Sequence, residues 1–282
     1  MAKRSVGIEI FYWIERWSDD QAAWFGRART CGFDCVEASL IDGPETDVDA
    51  MRTAAERLGL DLYCAMGLPR EMDISSPHAA TRRAGIEHLK RCVDTAARAG
   101  SPILGGVLYA PWLHFPEATD LQPYRERSAA ALREVAIAAD NAGVTLTLEP
   151  LNRFETFMFN TVAQGLDFLA MVDHLAVKLQ LDVYHMNMEE DDIAAAIRLT
   201  GDKLGHFHCA ASNRKLPGRG HIDWDGIKAA LDDIHYAGPL IIETFPNPRA
   251  ETGRTVHTWR PLVQDYDRDA QAALDFIRQR VA

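Results

Sequence analysis

Short apolar segments rich in β-branched residues alternate with longer helical segments eight times along this chain of 282 residues. Such regular alternation favours parallel strands joined by right-handed helical crossovers. The candidate strands are residues 6–11, 33–38, 60–65, 102–108, 144–149, 177–182, 204–209 and 239–244. Several of the intervening helices are predicted to stop at a glycine, which tolerates the left-handed conformation that ends a helix. These glycines are Gly32, Gly59, Gly100, Gly143 and Gly238.

Two architectures agree with this pattern, a closed (β/α)8 barrel and a doubly wound open sheet. Dividing the length by eight gives about 35 residues per unit, the size of one strand, one helix and their loops in a barrel. No GxGxxG follows the first strand and no GxxxxGK[ST] occurs, which weakens the nucleotide-binding open sheets. No linker rich in Pro, Gly or Ser divides the chain. The prediction is α/β, a single (β/α)8 TIM barrel over residues 1–282.

Charge and cysteine usage exclude several classes of protein. The chain has 30 basic and 41 acidic residues, a formal net charge of -11, which argues against a protein that binds nucleic acid. Five cysteines without a CxxC pair favour neither a disulfide framework nor a zinc ribbon, so a reducing cytoplasm is expected. No uncharged run reaches about 18 residues, so no membrane span is expected.

Four successive strands of the predicted barrel end in a residue able to bind a metal ion. Active sites of such barrels lie at the carboxyl ends of the strands, and neighbouring strands are about 5 Å apart, so these side chains can converge. Three carboxylates and one imidazole suit a hard or borderline divalent cation, with Mn²⁺ preferred and Co²⁺ or Mg²⁺ as alternatives. The four candidate ligands are Glu149, Asp182, His208 and Glu243.

Each candidate ligand has an ordinary alternative. A single carboxylate at a strand end commonly caps a helix, whereas four at matching positions are harder to explain in that way, because a buried carboxylate without a partner is unfavourable. His206 competes with His208, since the two share one strand face; His206 is expected deeper in the barrel and Cys209 on the opposite face. The acidic run 189–192 is interpreted as a helix start rather than a second metal site.

Further polar and aromatic side chains follow the same strands. Glu155, His185 and Arg214 form a set suited to sugar hydroxyls and a carbonyl, although Arg214 alone also fits an exposed surface cation. Trp112 and Phe245 are placed to stack on a small ligand, with packing at the barrel rim as the alternative.

At these residues the sequence resembles the ketose 3-epimerases, the D-tagatose 3-epimerase and D-psicose (allulose) 3-epimerase group of the xylose-isomerase-like barrels. The likeness covers most of the chain. Its matching motifs are GGVLYAPW (105–112), LEPLNRFETFMFNT (148–161), LDVYHMNMEED (181–191), GHFHCAASNRKLPGRG (205–220) and IIETF (241–245).

The resemblance implies roles for individual residues and a homodimer or homotetramer. Ala210 and Ala211 stand where relatives usually have Gly-Glu, and Glu9 stands where some carry an aromatic residue, which leaves the preferred ketose open. The implied roles are metal ligation by Glu149, Asp182, His208 and Glu243, acid/base chemistry by Glu149 and Glu243, substrate positioning by Glu155, His185 and Arg214, and pocket walls from Trp112 and Phe245.

The predicted function is metal-dependent inversion at C3 of a free ketose of the D-tagatose, D-fructose/D-psicose or L-ribulose type. One glutamate removes the C3 proton, and the other returns a proton to the opposite face of a cis-enediolate. The basic residues near the site are Arg214, Lys215 and Arg219, without a phosphate cradle, which favours a free sugar over a sugar phosphate. Alternatives are an aldose–ketose or hydroxypyruvate-type isomerase, a nuclease of the endonuclease IV kind and a sugar-binding module without catalysis.

Overall fold

Eight parallel strands form a closed barrel in the computed structural model, which describes residues 3–282. Each strand pairs with the next along the chain, and the last pairs with the first. The open-sheet alternative is therefore wrong, and the predicted TIM barrel is confirmed. The strands are β1 (Val6–Glu9), β2 (Cys35–Ser39), β3 (Asp61–Leu68), β4 (Ile103–Pro111), β5 (Thr145–Leu148), β6 (Val177–Asp182), β7 (Leu204–Cys209) and β8 (Leu240–Ile242).

Helices connect the strands and form the outer layer. The α-helices are α1 (Phe25–Cys31), α2 (Val48–Leu58), α3 (Ala79–Ala99), α4 (Gln122–Ala142), α5 (Val162–Val172), α6 (Val183–Glu189), α7 (Ile193–Thr200), α8 (Trp224–Asp233), α9 (Glu251–Thr255) and α10 (Tyr266–Arg280). Short 3-10 helices cover Ile10–Tyr12, Gln21–Trp24, Gly43–Glu45, Arg70–Met72 and Gly201–Lys203. Within residues 3–282, no helix combines the length and apolar character needed to span a bilayer.

Four of the five predicted glycine stops have the left-handed backbone expected of a helix end, namely Gly32, Gly59, Gly100 and Gly143. The prediction for Gly238 is wrong. Helix α8 already ends at Asp233, and His235 takes the left-handed conformation with a φ of 56°. Gly238 precedes Pro239, and a residue before proline is disfavoured in the helical region.

Strands β5 and β8 end one and two residues earlier than predicted, so Glu149 and Glu243 are the first residues of the loops that follow. Both backbones nevertheless continue the barrel pairing. The Glu149 N–H donates to the Gly106 carbonyl at 3.3 Å, and the Glu243 N–H donates to the Cys209 carbonyl at 3.2 Å. Their side chains are therefore still oriented by the sheet.

The interior of the barrel is unusually polar for a core. Gln180 pairs in register with His206, and Asp182 pairs with His208 one layer higher, because residues two apart share a strand face. Glu37 and Thr147 are also completely buried. The structure thus stacks a layer of polar side chains directly beneath the predicted metal ligands.

Gly105 makes room for this polar layer. A Cβ atom at this position would overlap the Gln180 Oε1 atom and lie 2.8 Å from Thr147 Oγ1. We expect Gly105→Ala to lower the free energy of unfolding by about 1–3 kcal/mol, as for other overpacked cores. The matched control is Gly26→Ala in α1, where no atom lies within 4 Å of an added Cβ. That change should stabilise the helix by up to about 1 kcal/mol.

Equilibrium urea unfolding of the two metal-free variants measures both changes. Equal stability of Gly105→Ala and the parent protein would contradict the close packing of Gly105 against Gln180.

Candidate metal centre

The four predicted ligands come together at the carboxyl ends of β5 to β8. Glu149 follows β5, Asp182 ends β6, His208 lies in β7 and Glu243 follows β8. One side-chain atom from each lies within 4.8 Å of the others. Glu149, Asp182 and His208 are buried, and Glu243 is half-buried. The four candidate ligands, one from each of four successive βα units, therefore form one compact cluster.

The geometry of this cluster fits a divalent cation. His208 Nδ1 lies 3.4 Å from Glu243 Oε2 and 3.9 Å from Glu149 Oε1. His208 Nδ1 and Glu149 Oε1 are both buried and have no hydrogen-bond partner among residues 3–282. Unpaired buried polar atoms are unfavourable unless a ligand satisfies them. Nitrogen and oxygen ligands at about 2.0–2.2 Å from one ion lie about 3–4 Å apart, as these atoms do.

Asp182 caps a helix and still directs one carboxylate oxygen toward the cluster. Its Oδ1 atom accepts a hydrogen bond from the Tyr184 N–H at 2.8 Å and so caps α6. Its Oδ2 atom faces the cluster, 2.5 Å from Arg214 Nη1. The helix cap therefore fixes the orientation of the carboxylate without occupying the oxygen that faces the site.

Arg214 is a half-buried part of the site rather than a surface cation. Besides its contact with Asp182, its Nη2 atom lies 2.6 Å from Glu243 Oε2. The guanidinium carbon lies 4.7 Å from the Tyr184 ring centroid and 5.1 Å from that of Phe245. Its backbone is left-handed, with a φ of 59°, and its carbonyl accepts a hydrogen bond from the Thr244 hydroxyl. The loop after β7 is thus tied to the loop after β8.

The carboxylates of the cluster differ in their tendency to bind a proton. Burial raises the pKa of Asp182, but Arg214 and His185 outweigh burial and hold that pKa below its usual range. Burial raises the pKa of Glu149 well above its usual value, and the carboxylates of Glu243 and Asp182 add to this effect. In the metal-free protein, Asp182 is therefore ionised, whereas Glu149 binds a proton readily.

His185 presents a neutral hydrogen-bond donor to the cluster. The Asn152 backbone N–H donates to His185 Nδ1 at 3.2 Å, so Nδ1 is the acceptor and Nε2 carries the proton. His185 Nε2 lies 3.9 Å from both Glu149 Oε1 and Asp182 Oδ2. Burial lowers the pKa of His185, which keeps the ring neutral.

The remaining predicted substrate contacts form a connected wall. Trp112 Nε1 donates to Glu155 Oε2 at 3.1 Å, and Asn152 Nδ2 donates to Glu155 Oε1 at 2.9 Å. Asn152 also contacts His185, which links this wall to the cluster. Phe245 lies on the other side, against Arg214. The structure therefore brings together all the side chains that the sequence selected.

Two further glutamates lie near the site: the sequence analysis missed Glu37 and considered Glu9 only as a departure from the family pattern. Glu37 Oε2 lies 2.6 Å from His206 Nε2, and Glu37 Oε1 lies 3.0 Å from His208 Nε2. Burial raises the pKa of Glu37, but His208 and His206 outweigh burial and hold it below its usual range. Burial raises the pKa of Glu9 well above its usual value, with contributions from Glu243 and Glu37. A carboxylate in the middle of an apolar strand, as in Val-Glu-Ala at 36–38, is the signal that points to Glu37.

The acidic run 189–192 makes structural contacts. Asp192 caps α7 by accepting a hydrogen bond from the Ala195 N–H at 2.9 Å, as predicted for acidic residues at a helix start. The prediction is wrong for the first half of the run, because Glu189 is the last residue of α6 and Glu190 follows it. Glu189 pairs with Arg153 at 2.8 Å. Neither ligand-like cluster found in residues 3–282 includes this run.

Comparison with known proteins places the chain in a family. The family model described as Xylose isomerase-like TIM barrel matches residues 25–279. The chain is 36% identical to D-psicose 3-epimerase of Ruminiclostridium cellulolyticum over 281 residues, which is 96% of each chain. It is 34% identical to L-ribulose 3-epimerase of Methylomonas sp. over 278 residues, covering 97% of this chain and 96% of the relative.

Solved structures agree with the sequence relatives. The crystal structure of D-psicose 3-epimerase with D-tagatose from Clostridium cellulolyticum H10 matches with a TM-score of 0.94 and 36% identity, covering 98% of this chain and 99% of that one. The resemblance inferred from the motifs is thereby confirmed. The chain belongs to the ketose 3-epimerases of the xylose isomerase-like TIM barrel family.

Proposed function

We propose that this protein is a metal-dependent ketose 3-epimerase in which Glu149 and Glu243 are the two acid/base residues. The observation that carries the proposal is the position of these glutamates in one cluster. They follow β5 and β8, which are separated by β6 and β7, so they approach the cluster from different sides. Inversion at a carbon needs proton removal on one face and proton delivery on the other. Two carboxylates on separate strands match that requirement.

Glu149, Asp182, His208 and Glu243 would hold the cation. When bound there, it supplies Lewis-acid stabilisation of the negative charge that develops on the substrate oxygens as the C3 proton leaves. One glutamate removes the proton from C3, which is acidic because it adjoins the C2 carbonyl. The other glutamate delivers a proton to the opposite face. Burial raises the pKa of Glu149 in the metal-free protein, so this position favours a bound proton.

The surrounding side chains would bind and orient the sugar. His185 offers its Nε2–H beside Glu149 and Asp182, and Arg214 offers a cation held between Tyr184 and Phe245. Glu155, fixed by Trp112 and Asn152, offers carboxylate oxygens for a sugar hydroxyl. The rings of Trp112 and Phe245 supply apolar surface on which the carbon face of a sugar can pack.

The finer parts of the proposal are the substrate, the metal and the assembly. The relatives are named for D-psicose and L-ribulose, which supports free ketoses of the D-psicose, D-fructose, D-tagatose and L-ribulose type as substrates. Mn²⁺ is the proposed cation, with Co²⁺ and Mg²⁺ as alternatives, because oxygen donors dominate the set. We further propose a homodimer or homotetramer in the cytoplasm.

A ketose panel tests the proposed reaction. The protein is incubated with D-fructose, D-psicose, D-tagatose and L-ribulose in deuterated water with Mn²⁺, and the products are identified by chromatography and NMR. We expect the C3 epimer of at least one ketose, with deuterium incorporated at C3. The corresponding sugar 1-phosphates serve as a comparison and should react more slowly. Formation of an aldose would indicate the isomerase alternative, and no turnover of any ketose would contradict the proposal.

A further inference from the structure

We propose that Glu37 is a positioning residue that fixes the ring of His208 so that Nδ1 faces the metal cluster. The inference rests on the metal site of the proposed function and adds to it a residue from the opposite side of the barrel, on β2. Glu37 is 0% exposed and lies beneath the four proposed ligands. Its two oxygens contact the two buried histidines of β7.

The two nitrogens of His208 face different partners. Nδ1 faces Glu243 and Glu149 and has no hydrogen-bond partner among the described residues. Nε2 lies 3.0 Å from Glu37 Oε1. A proton on Nε2 beside this carboxylate leaves the lone pair on Nδ1 pointing into the cluster. That tautomer is the one a metal ligand requires.

The other neighbour of His208 Nε2 cannot replace Glu37. The Gln180 amide nitrogen lies 3.4 Å from His208 Nε2, and the Gln180 Oε1 atom instead accepts a hydrogen bond from the Thr147 hydroxyl at 3.2 Å. An amide nitrogen is a donor and cannot accept the proton of Nε2. Glu37 Oε1 has no hydrogen-bond partner within residues 3–282 and lies 3.0 Å from His208 Nε2, so it is available to accept the Nε2 proton.

Glu37, His206 and His208 also have ligand-type atoms close enough together to suggest a second metal site. The short contact of 2.6 Å between Glu37 Oε2 and His206 Nε2 favours a hydrogen bond instead. Two ligands of one cation, each about 2.0–2.2 Å from it, would normally lie about 3 Å apart or more. His206 thus anchors one oxygen of Glu37 and leaves the other directed at His208.

When a carboxylate hydrogen-bonds to the non-ligating nitrogen of a metal-binding histidine, its substitution typically lowers metal affinity by about 10–100-fold. We therefore expect Glu37→Gln to weaken Mn²⁺ binding by about 10–100-fold, because an amide can turn either its oxygen or its nitrogen to His208 and no longer imposes the tautomer. Calorimetric titration of the metal-free protein with Mn²⁺ measures this loss without reference to turnover.

Glu9→Gln is the matched control. Glu9 and Glu37 are Cα partners on adjacent strands, and Glu9 is only 4% exposed. Glu9 accepts a hydrogen bond from the Phe11 N–H at 2.8 Å, which a glutamine oxygen also accepts. Glutamine also has nearly the same size as glutamate, so the substitution preserves the packing at the end of β1. We expect its Mn²⁺ affinity to stay within about twofold of the parent.

Thermal unfolding of the metal-free variants shows whether a loss of Mn²⁺ affinity comes from the orientation of His208 or from a less stable fold. If Glu37→Gln does not fold, Glu37→Asp tests the same contact, because it keeps the charge but moves the carboxylate away from His208. A folded Glu37 variant with parental Mn²⁺ affinity would overturn the inference, and so would equal weakening by Glu9→Gln. Neither result would affect the proposed epimerase reaction, which the ketose panel tests separately with the parent protein.

Discussion

Replacing either Glu149 or Glu243 by glutamine is expected to lower kcat/KM for the preferred ketose by about 10²–10⁴-fold, the usual contribution of a general acid or base. Each glutamate lies in the cluster with His208, and glutamine keeps the size and one potential oxygen ligand while removing the ability to accept a proton. The metal content of every variant must be measured before kcat/KM values are compared. In fully metal-loaded variants, a lower kcat/KM reflects the loss of proton transfer and not weaker metal binding.

Solvent exchange provides a sharper test of the two-base scheme. With one glutamate replaced, the remaining one can still remove and return the C3 proton on its own face. We therefore expect Glu149→Gln and Glu243→Gln each to exchange deuterium into C3 of one epimer of a substrate pair without inverting it, and to choose opposite epimers. Measurement is by NMR after incubation of each epimer in deuterated water.

Glu190→Gln is a suitable control for these substitutions. Glu190 accepts a hydrogen bond from the Val162 N–H at 2.6 Å outside the cluster, and glutamine preserves that acceptor. Its activity should match the parent protein. If a fully metal-loaded Glu149→Gln or Glu243→Gln variant inverted C3 at the parental rate, the two-base scheme would be wrong.

The fold and the convergence of the four candidate ligands could be predicted because both depend on a regular pattern. Each strand of the barrel delivers its last side chain to the same rim, so a ligand-type residue at four successive strand ends is visible as spacing in the sequence. The errors of one and two residues in the predicted ends of β5 and β8 did not change the predicted positions of the ligand side chains. Glu149 and Glu243 lie just beyond their strands, but backbone hydrogen bonds to Gly106 and Cys209 keep them in the barrel pairing.

The contacts that orient those ligands could not be read from spacing. Glu37 is on β2 and contacts His206 and His208 only because the barrel closes. Glu37 and His206 are 169 residues apart in the sequence. The left-handed backbone of Arg214 and its burial between two rings likewise depend on the loops after β7 and β8 packing together. Sequence alone therefore selected the candidate ligands, whereas the contacts that surround them required the three-dimensional structure.

The preferred ketose could not be predicted from the residues that depart from the family pattern. Ala210 and Ala211 are fully buried and carry no polar side-chain group that could bind a substrate. Glu9 lies at the end of β1, with its carboxylate bonded to the Phe11 N–H and close enough to Glu243 and Glu37 to feel their charge. A polar group in place of an aromatic ring changes the chemistry of this edge of the site, and the ketose panel reports the result.

Removal of divalent metal is expected to lower kcat/KM by at least about 10³-fold. Lewis-acid stabilisation typically supplies several kcal/mol of transition-state energy, and each 1.36 kcal/mol corresponds to a tenfold rate. The fold should persist, because Arg214 already forms salt bridges with both Asp182 and Glu243 in the metal-free cluster. Dialysis against a chelator, with residual metal measured, gives the protein for this assay. Separate additions of Mn²⁺, Co²⁺ and Mg²⁺ should then restore activity to different extents and rank the cations.

Thermal unfolding of the same samples tests whether the restored activity reflects binding to the folded cluster. A cation present at about 100 times its Kd stabilises the native state by about 2.7 kcal/mol. For a chain of this size that corresponds to a rise in Tm of about 5 °C. Mn²⁺ should produce this rise in the parent protein and a smaller one at the same concentration in His208→Ala, which lacks the Nδ1 ligand. Full activity in a sample shown to be metal-free would refute the metal dependence, since the unpaired buried atoms of Glu149 and His208 would then have no catalytic partner.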